Sequence, residues 1–351
     1  MAVRSGSISP RPPSRTIYSK MPTVFYIGAT GYLGGAVLAD LVGAFPDLDV
    51  TALVRNPQHF NAYKSIGVKV IQGSFGDIDI ITSNARAADI TLNMGDSDDV
   101  PLTEAILAGQ AARVAEDHKA PAALLHTSGV AVFAVSPNDG KHDPNAKVWN
   151  DGDEADIRLI NDKMLHGGID EKILRASEKG HTVSYIVAPG AIVGPSTGPV
   201  PTATIFFRFI VDVSLAFKKA VYVGEGANVF YMVCLDDLVR FYRLLFAHIL
   251  SGKYANASPY SRYYVAAKNP VEWKHIATLV GATLKRTGKL EDGKPQSISA
   301  STLQSPVDVY MGATQHVRAE RAAALGWEAR TVVVEDYVEE GVKSSLEKLQ
   351  K

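Results

Sequence analysis

Three glycines at a fixed interval mark the first place where this chain could do chemistry. Gly28, Gly31 and Gly34 stand in G-x-x-G-x-x-G spacing inside the run VFYIGATGYLGGAVLADL, residues 24–41. In such a pattern the first glycine allows a tight turn, the second lets backbone approach a pyrophosphate, and the third lets a helix lie close to a strand. Thr30, Tyr32 and Leu33 fill the same turn. The uncapped start of the following helix would offer free N–H groups and a positive dipole end to phosphate. A second chemical signal follows in VTALVRNP, where Arg55 and Asn56 come directly after an apolar run and no acid stands at that end. Asp47 and Asp49 belong to its opposite end. A guanidinium there grips a 2′-phosphate through paired hydrogen bonds, so the predicted ligand is NADP (NADPH) rather than NAD.

The elements that must position these residues follow from periodicity. Val24, Phe25, Tyr26 and Ile27 are β-branched or aromatic, whereas Leu33, Val37, Leu38 and Leu41 recur at helical intervals. Further strands are expected at 50–54, 68–72, 90–93, 122–127 and 183–188. Helices are expected from about residue 57, at 77–87, at 103–118, and across 155–179 with an interruption at Gly167 and Gly168. Six strands alternating with helices predict a Rossmann-type doubly wound parallel α/β sheet, with ligands beyond the carboxyl ends of its strands. After Pro189 the rhythm changes. Short apolar runs at 222–224, 229–235 and 263–266 alternate with helices at 236–250 and 271–285, which suggests a smaller α+β substrate lobe. The expected division is a disordered tail over 1–21, a nucleotide-binding domain over 22–190 and a substrate lobe over 191–351, the chain returning to the first domain near 228–250.

Composition narrows the partners. The charges nearly cancel, 36 Lys and Arg against 37 Asp and Glu, so no global field favours nucleic acid or an anionic membrane. No apolar run is long enough to cross a bilayer; the stretch IFFRFIVDVSLAF is broken by Arg208 and Asp212. Cys234 is the only cysteine, which excludes an internal disulfide and a cysteine-rich metal site and fits a reducing, cytoplasmic setting. No metal is expected. The first 20 residues, with four basic residues, three prolines and no acid, cannot build a core, and a start at Met21 is an equal alternative to a genuine tail.

The segments GATGYLGG, LLHTSG, IVAPGAIVGP, VCLDDLVRFY and ALGWEAR, taken in that order, resemble the extended and atypical short-chain dehydrogenase/reductase superfamily, the NAD-dependent epimerase/dehydratase type. The resemblance implies NAD(P) in the first lobe, Asp77 near the adenine, Asn93 and Met94 beneath the cofactor, and Pro189, Gly190 and Ile192 beside the nicotinamide. It also implies that Asp236 and Asp237 orient the chain between lobes; from their residue types alone they read as a helix cap and a first-turn acid. A homodimer through first-lobe helices is an expectation by the same analogy.

One part of the family pattern is missing. Its Tyr-x-x-x-Lys pair supplies the proton, yet no tyrosine lies between Tyr63 and Tyr185. Counting back from Pro189 puts Asp162 and His166, or His166 and Asp170, at the two positions; taking Lys163 as the lysine puts Leu159 opposite it. Imidazole titrates close to neutral pH and can replace a phenol without a lysine, so His166 is the first candidate donor, with a carboxylate one turn away to hold its tautomer. Lys163 and His126 are further candidates. Thr127 and Ser128 stand where the family places a hydroxyl, although the strictest register lands on Gly129. His142 and Trp149, in the polar insertion 136–153, are lid candidates, and residues 205–209 with Tyr222 would line the substrate pocket. The leading expectation is an NADPH-dependent oxidoreductase acting on a small, largely apolar carbonyl or enone compound. A redox-neutral epimerase, isomerase or cyclase with bound NADP, and a non-catalytic NADP redox sensor, are the alternatives. The scattered Arg208, Lys218 and Lys219 do not make the diphosphate clamp that a sugar nucleotide would need.

Overall fold

A computed structural model describes residues 21–135, 139–143, 145–253, 255–302 and 311–349. All of the expected 1–21 tail except Met21, which packs against the first core, and part of the 136–153 insertion lie outside the described residues. The first half of the chain alternates strand and helix: β1 (Thr23–Ile27), α1 (Tyr32–Ala44), β2 (Asp49–Val54), α2 (Phe60–Lys64), β3 (Lys69–Gln72), α3 (Ile78–Ala87), β4 (Ile90–Asn93), α4 (Val100–Ala115) and β5 (Ala122–Thr127). Then come β6 (Trp149–Asn150), α5 (Glu154–Ile157), α6 (Gly167–Glu178), β7 (Thr182–Pro189), β8 (Ala191–Val193), α7 (Ile205–Ala216), β9 (Val221–Val223), β10 (Val229–Cys234) and α8 (Leu235–Ser251). The chain ends with β11 (Tyr263–Ala266), β12 (Asn269–Glu272), α9 (Trp273–Arg286), β13 (Gln296–Ile298), β14 (Val317–Arg318), α10 (Glu320–Ala324) and α11 (Glu335–Leu349).

Seven strands form one parallel sheet in the order β3-β2-β1-β4-β5-β7-β11. Side-chain alternation gives each face its own core. Tyr26, Leu92, Leu125 and Tyr185 face α1 and α8, whereas Ile27, Leu124, Ile186 and Tyr263 face α3, α4 and α6. Strand order reverses between β1 and β4, so a crevice opens at their carboxyl ends, where Ile27 pairs with Asn93 and Asn93 with His126. A third core joins β8, β9 and β10 to α7, α9 and α11, around the sheet β12-β10-β8. No helix among the described residues is long and apolar enough to cross a membrane.

Two expectations change. The run 263–266, assigned to the smaller lobe, is the seventh strand of the main sheet: Tyr263 pairs with Ile186 and Ala266 with Pro189. Gly167 and Gly168 open α6 rather than interrupt a longer helix. A Cβ on Gly167 would lie 2.2 Å from the Asn161 carbonyl oxygen, because the turns between α5 and α6 press against that helix start.

Candidate active site

The glycine turn is built as its spacing predicts. Gly28 has φ of 89°, and a Cβ there would lie 2.2 Å from the Met94 carbonyl oxygen; on Gly34 a Cβ would lie 2.2 Å from the Gly28 carbonyl oxygen. Gly31 is different. Its backbone is ordinary (φ −77°, ψ 164°), and within 4 Å a Cβ would meet only the Gly28 carbonyl oxygen, at 3.2 Å. The protein's own packing leaves that face open, which is the space a close-lying phosphate would use. Phenols hold the turn from beneath. The Tyr63 hydroxyl donates to the Ala29 carbonyl at 2.7 Å, and the Tyr26 hydroxyl donates to the Gly34 carbonyl at 2.6 Å with the Met94 Sδ 2.7 Å away. No side chain caps α1 and no acid stands in its first turn, so its N–H groups and dipole are left for an anion. Thr30 is half-buried in the turn, Leu33 is buried, and the Tyr32 hydroxyl donates to the Gly194 carbonyl at 2.6 Å, tying α1 to the segment after β8.

The other expected cofactor positions surround this turn in several roles. Arg55 is exposed past the end of β2 and makes no hydrogen bond or ion pair with a described residue. Asn56 accepts from the Gln58 N–H at 3.0 Å and so begins the next turn. Asp77 accepts from the Ser74 N–H (2.6 Å) and hydroxyl (2.7 Å), and these bonds hold its carboxyl below the usual range. Asn93 is buried; its Oδ1 accepts from the Gly95 N–H at 3.2 Å, and its Nδ2 lies 3.2 Å from His126 Nδ1. Met94 packs under the glycines. Gly190, just past Pro189, is a packing glycine, since a Cβ there would lie 2.7 Å from the Tyr231 carbonyl oxygen. Ile192 is half-buried in β8, and its carbonyl accepts from the Thr204 hydroxyl at 2.8 Å.

His166 does not sit within a helix, as the sequence suggested. It is the residue before α6, with left-handed backbone (φ 60°, ψ −18°) that a side chain rarely adopts. Its Nδ1 lies 2.9 Å from Asp98 Oδ1 and 3.1 Å from Ser97 Oγ, both in the loop after β4. Its Nε2 lies 3.1 Å from where a Cβ on Gly129 would stand, at the carboxyl end of β5. Burial opposes ionisation of Asp98, but the hydrogen bond and charge of His166 keep that carboxyl below the usual carboxylate range. An open cavity of about 510 Å³ lies beside the ring, with Asp98, Val100, Met164 and Ile169 among its walls.

The expected carboxylate partners of the imidazole are therefore replaced. Asp162 is exposed and lies ahead of the helix, whereas Asp170 is fully buried and serves another group. Asp170 Oδ2 accepts from the Ser128 hydroxyl at 2.7 Å and the Tyr263 hydroxyl at 2.8 Å. Burial pushes the Asp170 carboxyl up to about 6 against those two bonds, and it pushes His126 down to about 3. The His126 Nε2 lies 3.8 Å from Asp170 Oδ1, too far for a hydrogen bond, and the imidazole is neutral, so this is no ion pair. Lys163 is exposed on the turn between α5 and α6, not on a helix, and its side chain bonds no described residue; Leu159 is exposed as well. Thr127 is spent on the Tyr242 hydroxyl, 2.6 Å away.

The insertion is pinned by its described parts. The Gly140 carbonyl accepts from the N–H groups of Ala227 (2.7 Å) and Asn228 (3.0 Å), and β6 pairs with β14. Trp149 packs against Phe133 at 5.1 Å, and His142 against His316 at 5.9 Å between ring centres. Sequence reasoning missed Asp98 and Tyr263. Nothing local signals either, because each reaches its partner across the fold.

Comparison with known proteins agrees with this geometry. Residues 28–156 match the family model described as NAD(P)H-binding. The chain is 24% identical over 324 residues to the oxidase ucsJ of an Acremonium species, covering 87% of the chain and 92% of that protein. It is also 24% identical over 265 residues to an uncharacterized protein of Saccharomyces cerevisiae, covering 74% and 80%. Its fold matches the dTDP-glucose 4,6-dehydratase DesIV of Streptomyces venezuelae, solved with NAD and TYD, at a TM-score of 0.61 and 14% identity over 93% of the chain and 98% of the other. The dTDP-glucose 4,6-dehydratase of Bacillus anthracis, solved with NAD, matches at 0.58 and 13% over 93% and 97%. The fold is thus Rossmann-like and matches that of these dehydratases.

Proposed function

We propose that this NAD(P)-dependent oxidoreductase uses NADPH to reduce a small, largely apolar carbonyl or enone compound, with His166 as the proton donor. The observation that carries this is the His166–Asp98 pair. A side chain is held in a strained backbone conformation, one ring nitrogen is anchored by a carboxylate 2.9 Å away, and the other is directed at the carboxyl end of β5. Such an arrangement fixes the orientation of the ring, as the acid does in other acid–histidine pairs.

Gly28, Gly31, Gly34 and the start of α1 would hold the pyrophosphate, and Arg55 the 2′-phosphate. When bound, the nicotinamide supplies hydride to the carbonyl carbon. The C=O π pair then moves onto oxygen, and His166 Nε2 gives its proton to that oxygen. Asp98, 2.9 Å from the other ring nitrogen, holds the imidazole in place for that transfer. Ser128, buried to 6% exposure next to Gly129, lines the same strand end and positions the oxygen.

The test is a screen of cyclic enones and aryl ketones, followed by nicotinamide absorbance, on wild type, His166→Gln and Asp98→Asn. We expect His166→Gln to lower turnover by about 10²–10⁴-fold and Asp98→Asn by less, both with unchanged NADPH affinity. Tight NADPH binding with no carbonyl consumed by wild type would end this reading in favour of the redox sensor. A tightly retained, oxidised coenzyme would favour the redox-neutral alternative.

A further inference from the structure

We propose that Gly129 is a positioning residue: by carrying no side chain it admits the His166 ring to the end of β5, and the size of residue 129 decides how far the imidazole reaches there. The catalytic value of that place rests on the carbonyl chemistry proposed above; the steric relation is a property of the chain. A glycine has two ordinary reasons to stand at a strand end, and neither applies here. Its backbone is plain extended chain (φ −158°, ψ 147°), which any residue adopts. No backbone atom crowds it either, in contrast to Gly28 and Gly34, where a Cβ would strike a carbonyl oxygen at 2.2 Å. Within 4 Å, and among the described residues, a Cβ on Gly129 would meet two atoms of one side chain, His166 Nε2 at 3.1 Å and Cδ2 at 3.3 Å.

Both partners are held. On the strand side, the Ser128 N–H donates to the Val187 carbonyl at 2.7 Å, and the Gly129 carbonyl accepts from the Val132 N–H at 3.0 Å. On the helix side, the His166 carbonyl accepts from the N–H groups of Ile169 (3.1 Å) and Asp170 (3.0 Å), which tie its left-handed backbone to the first turn of α6. The ring itself is anchored at Nδ1 by Asp98 and Ser97. The imidazole is thus gripped at one nitrogen and stopped at the other by bare backbone. A methyl at 129 must push Nε2 away by a few tenths of an ångström, and because the Nδ1 anchors do not follow, the ring tilts off the end of β5. A proton donor is sensitive to displacements of that size.

The experiment is a double-mutant cycle of Gly129→Ala and His166→Gly on the full chain, read by thermal melts and by nuclear magnetic resonance of labelled histidine rings. His166→Gly removes the ring and leaves a residue that accepts the left-handed backbone. Gly129→Ala should lower Tm in the wild-type background and raise it by about 1–3 °C in His166→Gly, where an alanine with room restricts only the unfolded chain. In wild type the His166 ring hydrogens should show a nuclear Overhauser contact to the Gly129 Hα atoms, and Gly129→Ala should shift the His166 ring signal. If His166→Gly does not fold, the ring signals decide the matter. With a carbonyl compound found in the screen above, Gly129→Ala should lower kcat by about tenfold while KM and NADPH affinity hold. A Tm change of the same sign in both backgrounds, or a His166 ring without contact to Gly129, would overturn the proposal. The sign reversal and shifted ring, in a protein that reduces no carbonyl, would leave the steric relation standing and remove the oxidoreductase proposal alone.

Discussion

At the scale of single residues, unspent polar atoms separate binding from scaffolding. Arg55 is exposed and unpartnered among the described residues, whereas Asp77 and Asn93 have their oxygens bound within the protein. We therefore expect Arg55→Ala to weaken NADPH binding by about tenfold or more while leaving NADH binding unchanged, as calorimetry with both coenzymes would show. An equal effect on both would reassign Arg55 to the adenine. His126 gives a pH prediction. Its native form is neutral and held down to about 3, while the unfolded chain's imidazole gains its proton near the ordinary value of about 6.5. Protons then favour the unfolded chain as pH falls through that range, so this group erodes stability on acidification. The stability gap between wild type and His126→Gln should narrow from pH 7 to 5 in urea unfolding; a constant gap would show that His126 titrates normally. His166, the proposed donor, was singled out in the sequence because the absence of a tyrosine forced a search for another proton source. Its partner was not, since Asp98 lies 68 positions away and meets it only across α4 and α6.

At the scale of elements, the glycine turn and its strand and helix were legible because their geometry is local. The three glycines nevertheless do different work. Gly34→Ala would drive a methyl into the Gly28 carbonyl and should cost about 1–3 kcal/mol along with coenzyme binding. Gly31→Ala meets only one atom at 3.2 Å and has a permitted backbone, so it should leave Tm nearly unchanged while NADPH affinity falls. Thermal melts and calorimetry on the two variants would separate fold from binding; a Gly31→Ala protein that binds normally would show that no phosphate lies against that residue. The start of α6 was misjudged for a physical reason. Helical periodicity runs on through 155–179, but His166 takes a left-handed backbone that its bonds to the loop after β4 help to hold, and no pattern within the segment records those bonds.

At the scale of the whole molecule, one carboxylate laces distant parts together. Asp151 follows β6 and accepts from the N–H groups of Val265 on β11 (2.8 Å), Glu320 (2.7 Å) and Arg321 (3.1 Å) at the start of α10. Asp151→Ala would strand three backbone donors, one buried and two part-buried, and should cost about 2–3 kcal/mol, measured as a shift in denaturation midpoint. A loss well below that would mean that water replaces the carboxylate. Asp237 acts similarly, accepting from the Arg330 N–H at 2.9 Å while its carbonyl accepts from Trp327 Nε1 at 2.7 Å. That is the chain-orienting role implied for the Asp-Asp pair, added to its place in the first turn of α8. The strands of the main sheet could be anticipated from alternation as far as β7. The seventh strand could not, because 73 residues of other structure separate Pro189 from Tyr263 and a short apolar run does not declare which sheet it joins.

That late strand has a practical consequence for anyone cutting the gene. A fragment that stops at Gly190 would keep the phosphate turn and six strands, yet bare the outer rim of β7 from Ile186 to Pro189, where β11 now pairs. An apolar rim with unmet N–H and C=O groups invites a second fragment to dock on it, so such a truncation should clump rather than stand alone.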